Sequence, residues 1–348
     1  MYNPDAIKTV ENFLLAFTSI LYEALPYIIL GAVIAGILEE LLPQRFITRF
    51  LPRSRTLSIF IGALLGLVFP MCECGIIPVM RRLLRKGLPL SCCVAYLLAG
   101  PIINVIVLLS TFVAFSGYKN VSDGSGVSYQ MGSWWMMSMR AGLGFVVAVV
   151  TAHIVEWQYR KHGTRLLKPL AIPSELPTLE EKENGTTEKR TAWQRLGNIS
   201  DTALHDFIDI TVFLILGALL AALTGMLVNE KQLAELSSSH AALSIGLMML
   251  LAVVLCLCSE ADAFVAASFS TMRPAAKLAF LVLGPMFDLK LYMMYTRVFR
   301  PRLIYTIFLS VIVQVFILCF LTHILWEHYA PQWMTPPAAA TQSSSSGR

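Results

Sequence analysis

PMCECGIIPVMRRLLRKGLPLSCCVAYLLAGPIIN, residues 70–104, sets a run of basic residues, Arg81, Arg82, Arg85 and Lys86, between two apolar arms. Upstream, the apolar stretch 56–80 is preceded by a second basic group, Arg45, Arg49, Arg53 and Arg55. Basic residues concentrate on the cytoplasmic side of membrane proteins, so a stretch flanked by them on both sides is poorly placed as a full crossing. A segment that dips in and returns satisfies both clusters. Its chemistry suits a break, because Pro70, Cys-Glu-Cys-Gly at 72–75 and Pro78 interrupt a helix that would otherwise run through.

The rest of the chain gives this arm its setting. The 348 residues are 56% hydrophobic and 14% charged, against roughly 25% charged for an ordinary soluble domain. Eight apolar segments can be drawn, 13–42, 56–80, 88–115, 134–157, 207–228, 241–270, 275–297 and 302–326. Several reach the roughly 20 residues that a helix needs to cross a bilayer core. Their weak alternation argues against barrel strands, which leaves an all-α polytopic membrane protein. The net charge of +5 is spread through short loops and forms no patch with interleaved aromatics, so nucleic acid is not an expected partner. The N-terminal residues lack the basic region and small-residue site of a cleavable signal peptide.

Two halves are expected. Residues 1–157 form the first membrane repeat and 207–330 the second, with a polar cytoplasmic linker at 158–206 and a low-complexity tail at 331–348. A shift of 184 residues lays Cys72-x-Cys74 on Cys256-x-Cys258, Gly100-Pro101 on Gly284-Pro285, and Asn104 on Asp288. A shift of 186 lays Glu23 on Asp209. Reading 241–270 as re-entrant too, with a break near Cys258-Ser-Glu-Ala-Asp262, gives each half three crossings and one re-entrant segment. An odd number of crossings inverts the second half. Nineteen of the 27 Lys and Arg then lie inside, and six (Lys8, Lys119, Lys231, Arg273, Lys277 and Arg348) outside. Eight full crossings, the alternative, give sixteen against nine.

Inverted repeats place transported solutes near the midplane, at discontinuous helices. The symmetric pairs Cys72, Cys74 and Cys256, Cys258 are therefore the expected substrate-binding thiols, since thiolates prefer soft metals and metalloids. Cys92, Cys93 and Cys319 lie in apolar context and read as packing residues. Gly100, Pro101 and Asn104, with Gly284 and Pro285, are expected to line the same site, because a Gly-Pro break frees backbone groups. Ionisable residues in apolar stretches are functional candidates by default. Glu260, Asp262 and Asp288 are the candidates for proton coupling, and Lys290 is expected to neutralise a carboxylate from another helix. Glu73 falls in the same class, whereas Glu23 and Asp209, matched in the repeat, are expected toward the membrane interface instead. The expectation is a permease and not an enzyme, with no cofactor; no GxxxxGK[ST] motif occurs, so ATP hydrolysis would need another subunit.

At these residues the chain resembles the predicted bacterial permeases that include the organoarsenical efflux permeases, the ArsP-like permeases. The match is carried by MCECGIIPVMRRLLRKGLPLSCCVAYLLAGPIINVIVLLST and by CLCSEADAFVAASFSTMRPAAKLAFLVLGPMFDLKLYMMYTRVFRPR. The resemblance implies transport across the bacterial inner membrane, with trivalent organoarsenicals the substrates of some relatives. Cys-Ser-Glu-Ala-Asp-Ala-Phe and Gly-Pro-Met-Phe-Asp-Leu-Lys are closer to a branch whose members are often encoded beside a second membrane or extracytoplasmic protein. Partners implied are the lipid bilayer, a small molecule or ion, that neighbouring protein, and a second copy of the chain in an oligomer. Two rival readings are an intramembrane thiol oxidoreductase and a non-transporting membrane subunit that needs a partner.

Overall fold

Residues 4–41, 54–69, 71–116, 121–122, 128–129, 132–167, 192–227, 240–269 and 272–329 are described by the computed structural model. Twelve α-helices are present among them. The first half holds α1 (Pro4–Leu41), α2 (Arg55–Val68), α3 (Glu73–Arg85), α4 (Leu90–Ala99), α5 (Val105–Ser116) and α6 (Ser133–His162). The second holds α7 (Ala192–Leu227), α8 (Ala241–Leu255), α9 (Asp262–Ser268), α10 (Pro274–Leu283), α11 (Leu289–Val298) and α12 (Pro301–Tyr329). A two-residue antiparallel pair, Val121–Ser122 with Ser128–Tyr129, is the only sheet among the described residues. The polar stretch is narrower than its composition suggests, since α6 runs to His162 and α7 starts at Ala192. The tail at 331–348 lies outside the described residues.

Four helices carry apolar windows long enough to cross a bilayer: Glu11–Ile37, Ser133–His162, Ile199–Leu220 and Pro301–Trp326. Leu14, Leu15, Leu109, Leu216, Leu309 and Ile317 stand exposed on the molecule's surface. That is the arrangement expected where the surrounding solvent is hydrocarbon. The other eight helices have 7–15 residues, and even the longest spans only about 22 Å at 1.5 Å per residue.

Contacts between these short helices fix their directions. Gly62 abuts the Cys92 carbonyl, and Gly66 packs on Gly100 and Ile103, so contacts advance in the same direction along α2 and α4. The two helices are parallel, and the intervening α3 must bring the chain back. Glu156 near the end of α6 fixes the level: it accepts from Ser91 Oγ at 2.8 Å and pairs with Arg55 Nε at 3.7 Å, so α2 and α4 start on one face. In the second half Ser244 at the start of α8 meets Met272 just before α10, and Ala252 lies beside Gly284 at its end. Thus α8 and α10 are parallel too, and α9 belongs to the return. Segments 56–80 and 241–270 therefore both re-enter, and the eight-span alternative is excluded by this geometry.

The third segment of each half crosses in two pieces. α4 starts at the level of Glu156, whereas α5 ends beside the start of α6, where Phe112 packs on Trp134 with ring centroids 4.9 Å apart. The Gly-Pro breaks repeat bond for bond. Ile103 N to Ala99 O is 2.7 Å and its counterpart Phe287 N to Leu283 O is 2.9 Å; Ile102 N to Ala99 O and Met286 N to Leu283 O are both 3.0 Å.

Equivalent long helices of the two halves run antiparallel. Trp135 stacks edge-on against Trp326 with centroids 4.2 Å apart, while sixteen residues on, Thr151 meets Ser310 at 3.2 Å and Gln314 at 2.9 Å. Along α1 and α7, Gly36 packs on Ile199, and Ile29 shares a groove with Phe207. Antiparallel equivalents mean that one half is inverted relative to the other.

Candidate functional site

The tips of the two re-entrant segments meet in the protein interior. Cys72 sits in extended backbone immediately before α3. Cys256 has φ 50°, a left-handed conformation that lets the chain leave α8 sharply. Between these breaks the thiols of Cys72 and Cys258 come within 4.8 Å of each other. Cys258 in turn donates to Glu260 Oε2 at 2.9 Å. Two overlapping groups of potential ligands result, Cys72, Glu73 and Cys258, and Glu23, Cys258 and Glu260; within each, the ligand atoms lie within 4.8 Å of one another. Cys72, Glu73 and Cys258 are buried, whereas Glu23 and Glu260 are partly exposed.

Glu23 reaches this cluster because α1 lies very close to α3. A methyl group added to Gly31 would stand 2.5 Å from the Gly75 carbonyl oxygen, and one added to Gly75 would stand 2.9 Å from the Tyr27 carbonyl oxygen. Small residues on both helices permit this backbone approach. Asp209, matched to Glu23 in the repeat, has a side chain outside the described residues.

Two buried ion pairs join the halves around the thiols. Lys290 of α11 donates to Glu73 Oε1 of α3 at 2.9 Å, stands 3.7 Å from Asp288 Oδ2, and reaches the Cys256 carbonyl at 3.5 Å. Arg140 of α6, fully buried, donates to Asp262 Oδ2 at 2.8 Å, to Ser259 O at 3.0 Å and to Thr111 Oγ1 at 2.7 Å. Each pair takes its base from one half and its acid from the other. The carboxylate neutralised by Lys290 is thus Glu73, and Asp262 is held by Arg140, a partner that the sequence reading leaves unassigned.

Other expected site residues make local contacts within their own elements. Cys256 turns its thiol to Val253 O at 3.3 Å, inside its own helix, and takes no part in either ligand group. Cys74 is buried and also falls outside both groups. Asn104 and Asp288 are matched helix caps: Asn104 Oδ1 accepts from Ile106 N at 3.0 Å at the start of α5, and Asp288 Oδ1 from Leu291 N at 2.6 Å at the start of α11. Gly100 and Gly284 close α4 and α10, with Pro101 and Pro285 just beyond, and Gly100 is packed against by Gly66. Lys277 does not lie in an outside loop: it is fully buried in the first turn of α10, 6.0 Å from the centre of the Phe115 ring. The residues that sequence reasoning undervalues are Glu23 and Arg140. Their signal is an ionisable side chain in the middle of a long apolar helix.

A profile of the ArsP-type predicted permeases matches residues 9–324. The UPF0718 protein YcgR of Bacillus subtilis is 37% identical over 300 residues, 86% of this chain and 92% of that protein. A Streptococcus mutans protein that carries the name two-component membrane permease complex subunit is 32% identical over 298 residues, 85% of this chain and 90% of its own length. The UPF0718 protein MJ0584 of Methanocaldococcus jannaschii is 24% identical over 103 residues, 30% of this chain and 28% of that protein. No solved structure gives a significant match.

Proposed function

Because the chain belongs to the family of ArsP-type predicted permeases, we propose that it moves a small thiophilic solute by alternating access, with the thiols of Cys72 and Cys258 at the centre. The observation that carries this reading is the meeting of two re-entrant tips, one from each inverted half, at a cluster of thiols and carboxylates. Rocking one half against the other would expose such a cluster to each face in turn. Arg140 with Asp262 and Lys290 with Glu73 hold the halves together in the arrangement described here.

Orientation follows from charge. The face that carries Arg55, the end of α3 with Arg82 and Arg85, and the end of α6 with Arg160 and Lys161 is the cytoplasmic one. The membrane is then the bacterial inner membrane, and the stretch between α6 and the apolar part of α7 is the cytoplasmic connection between the repeats. The name of the Streptococcus mutans relative supports a second membrane protein as a partner here too.

Flux into proteoliposomes of the purified chain tests the proposal, over a panel of thiophilic metals, metalloids and sulfur anions. At least one solute crosses in wild type, and Cys72→Ser and Cys258→Ser each lower its flux at least about tenfold, the scale seen when a ligand set is disturbed. Cys319→Ser leaves it unchanged. Flux of every solute indifferent to both substitutions would overturn the thiol site.

A further inference from the structure

Resting on the permease reading, we infer that the cargo held between Cys72 and Cys258 is a thiophilic divalent cation of the zinc and cadmium class. The donors are two thiols and the carboxylates of Glu23, Glu73 and Glu260, arranged as two groups that share Cys258. Sulfur with oxygen suits borderline-soft divalent ions. Hard cations such as calcium take six to eight oxygens and no sulfur. Ligand atoms around a tetrahedral ion with metal–sulfur bonds of about 2.3 Å stand about 3.7 Å apart. The groups here lie within 4.8 Å, so an ion would draw them in by at most about an ångström.

Charge and unsatisfied acceptors point the same way. Glu23, Glu73, Glu260 and the neighbouring Asp288 outnumber Lys290, so a sulfur anion would enter against a surplus of like charge. Glu73 is 1% exposed, and its Oε2 has no hydrogen-bond partner among the described residues; nor has Oε1 of Glu260. Buried acceptors are normally satisfied, and a cation in either group would meet the carboxylate of that group. Lys290 keeps Glu73 Oε1 while Oε2 remains to ligate, which is the part an outer partner plays in fixing a metal ligand.

Binding is balanced as an exchange. Each metal–sulfur bond replaces a sulfur–proton bond, so one divalent cation enters and two protons leave to water on the side it came from. No atom changes oxidation state.

Cadmium ion alone, titrated into the full chain in lipid nanodiscs, tests this through cadmium–thiolate absorption in the ultraviolet. One cadmium per chain is expected. Cys72→Ser and Cys258→Ser each halve the absorption, whereas Glu73→Gln weakens affinity at least about tenfold with the absorption intact. Circular dichroism reports whether each variant is folded, and Cys319→Ser is the control that leaves binding unchanged. Absorption that is absent in wild type, or that survives the double Cys72→Ser, Cys258→Ser change, overturns the inference. So does cadmium that binds but does not cross in liposomes through which another solute passes in a Cys72-dependent way; the permease reading then stands. A chain that moves nothing on the panel overturns the permease reading itself.

Discussion

Arg140→Ala is expected to cost about 3–5 kcal/mol, the range for removing one partner of a buried ion pair. Arg140 is fully buried and Asp262 is 2% exposed, so the carboxylate left behind has no water to turn to. The carbonyl of Ser259 and the hydroxyl of Thr111 lose their donor at the same time. Against a total stability of roughly 5–15 kcal/mol, this loss leaves a large share of the protein unfolded or aggregated on solubilisation. Thermal unfolding followed by tryptophan fluorescence, with size-exclusion chromatography, measures it. The double change Arg140→Met, Asp262→Leu recovers most of the loss, because it removes both charges instead of stranding one. A double variant no more stable than Arg140→Ala would mean that the pair does not couple the halves.

The second large effect is steric. Gly31→Val sets a branched side chain where even a methyl group would stand 2.5 Å from the Gly75 carbonyl oxygen. Nothing flexible lies there to give way, since the obstacle is backbone. Overpacking of this kind costs roughly 1–3 kcal/mol, and α1 is expected to relieve it by moving off α3. Glu23 lies two turns from Gly31 on that helix, so it leaves the Cys258 and Glu260 group as α1 retreats. Cadmium affinity and flux should both fall at least about tenfold, the scale for loss of a supporting ligand interaction. Gly142→Ala, at a glycine with open space around it, is the matched control and leaves both unchanged. Equal behaviour of Gly31→Val and Gly142→Ala would separate the α1 to α3 approach from the site.

Much of the fold is legible because its signals are local. Basic clusters on both sides of 56–80 announce a re-entrant segment, and a duplicated Cys-x-Cys and Gly-Pro announce the repeat. Antiparallel packing of α6 on α12 follows from the odd number of crossings in each half. The site is less legible because its partners come from opposite halves. Cys72 and Cys256 are equivalent in the repeat, yet the thiol that meets Cys72 is Cys258, two residues on. That register depends on the left-handed turn at Cys256, and no motif encodes it. Asn104 and Asp288 illustrate the opposite case. Their equivalence is real, but it reflects two matched helix starts that need caps. Glu23 and Arg140 carry a sequence signal, but their partners, Cys258 with Glu260 and Asp262, are more than a hundred residues away, and only packing selects them.

The central claim is that thiols from two inverted halves face each other across one site. It is tested most directly in a chain whose only cysteines are Cys72 and Cys258, with a protease site placed between His162 and Ala192. A short bifunctional thiol reagent is added to membranes, the chain is cut, and the products are separated without reduction. The two halves are expected to migrate as one species, to separate on reduction of a cleavable spacer, and to separate without reduction when either cysteine is replaced by serine. Halves that separate after reagent treatment of the two-cysteine chain would contradict the account.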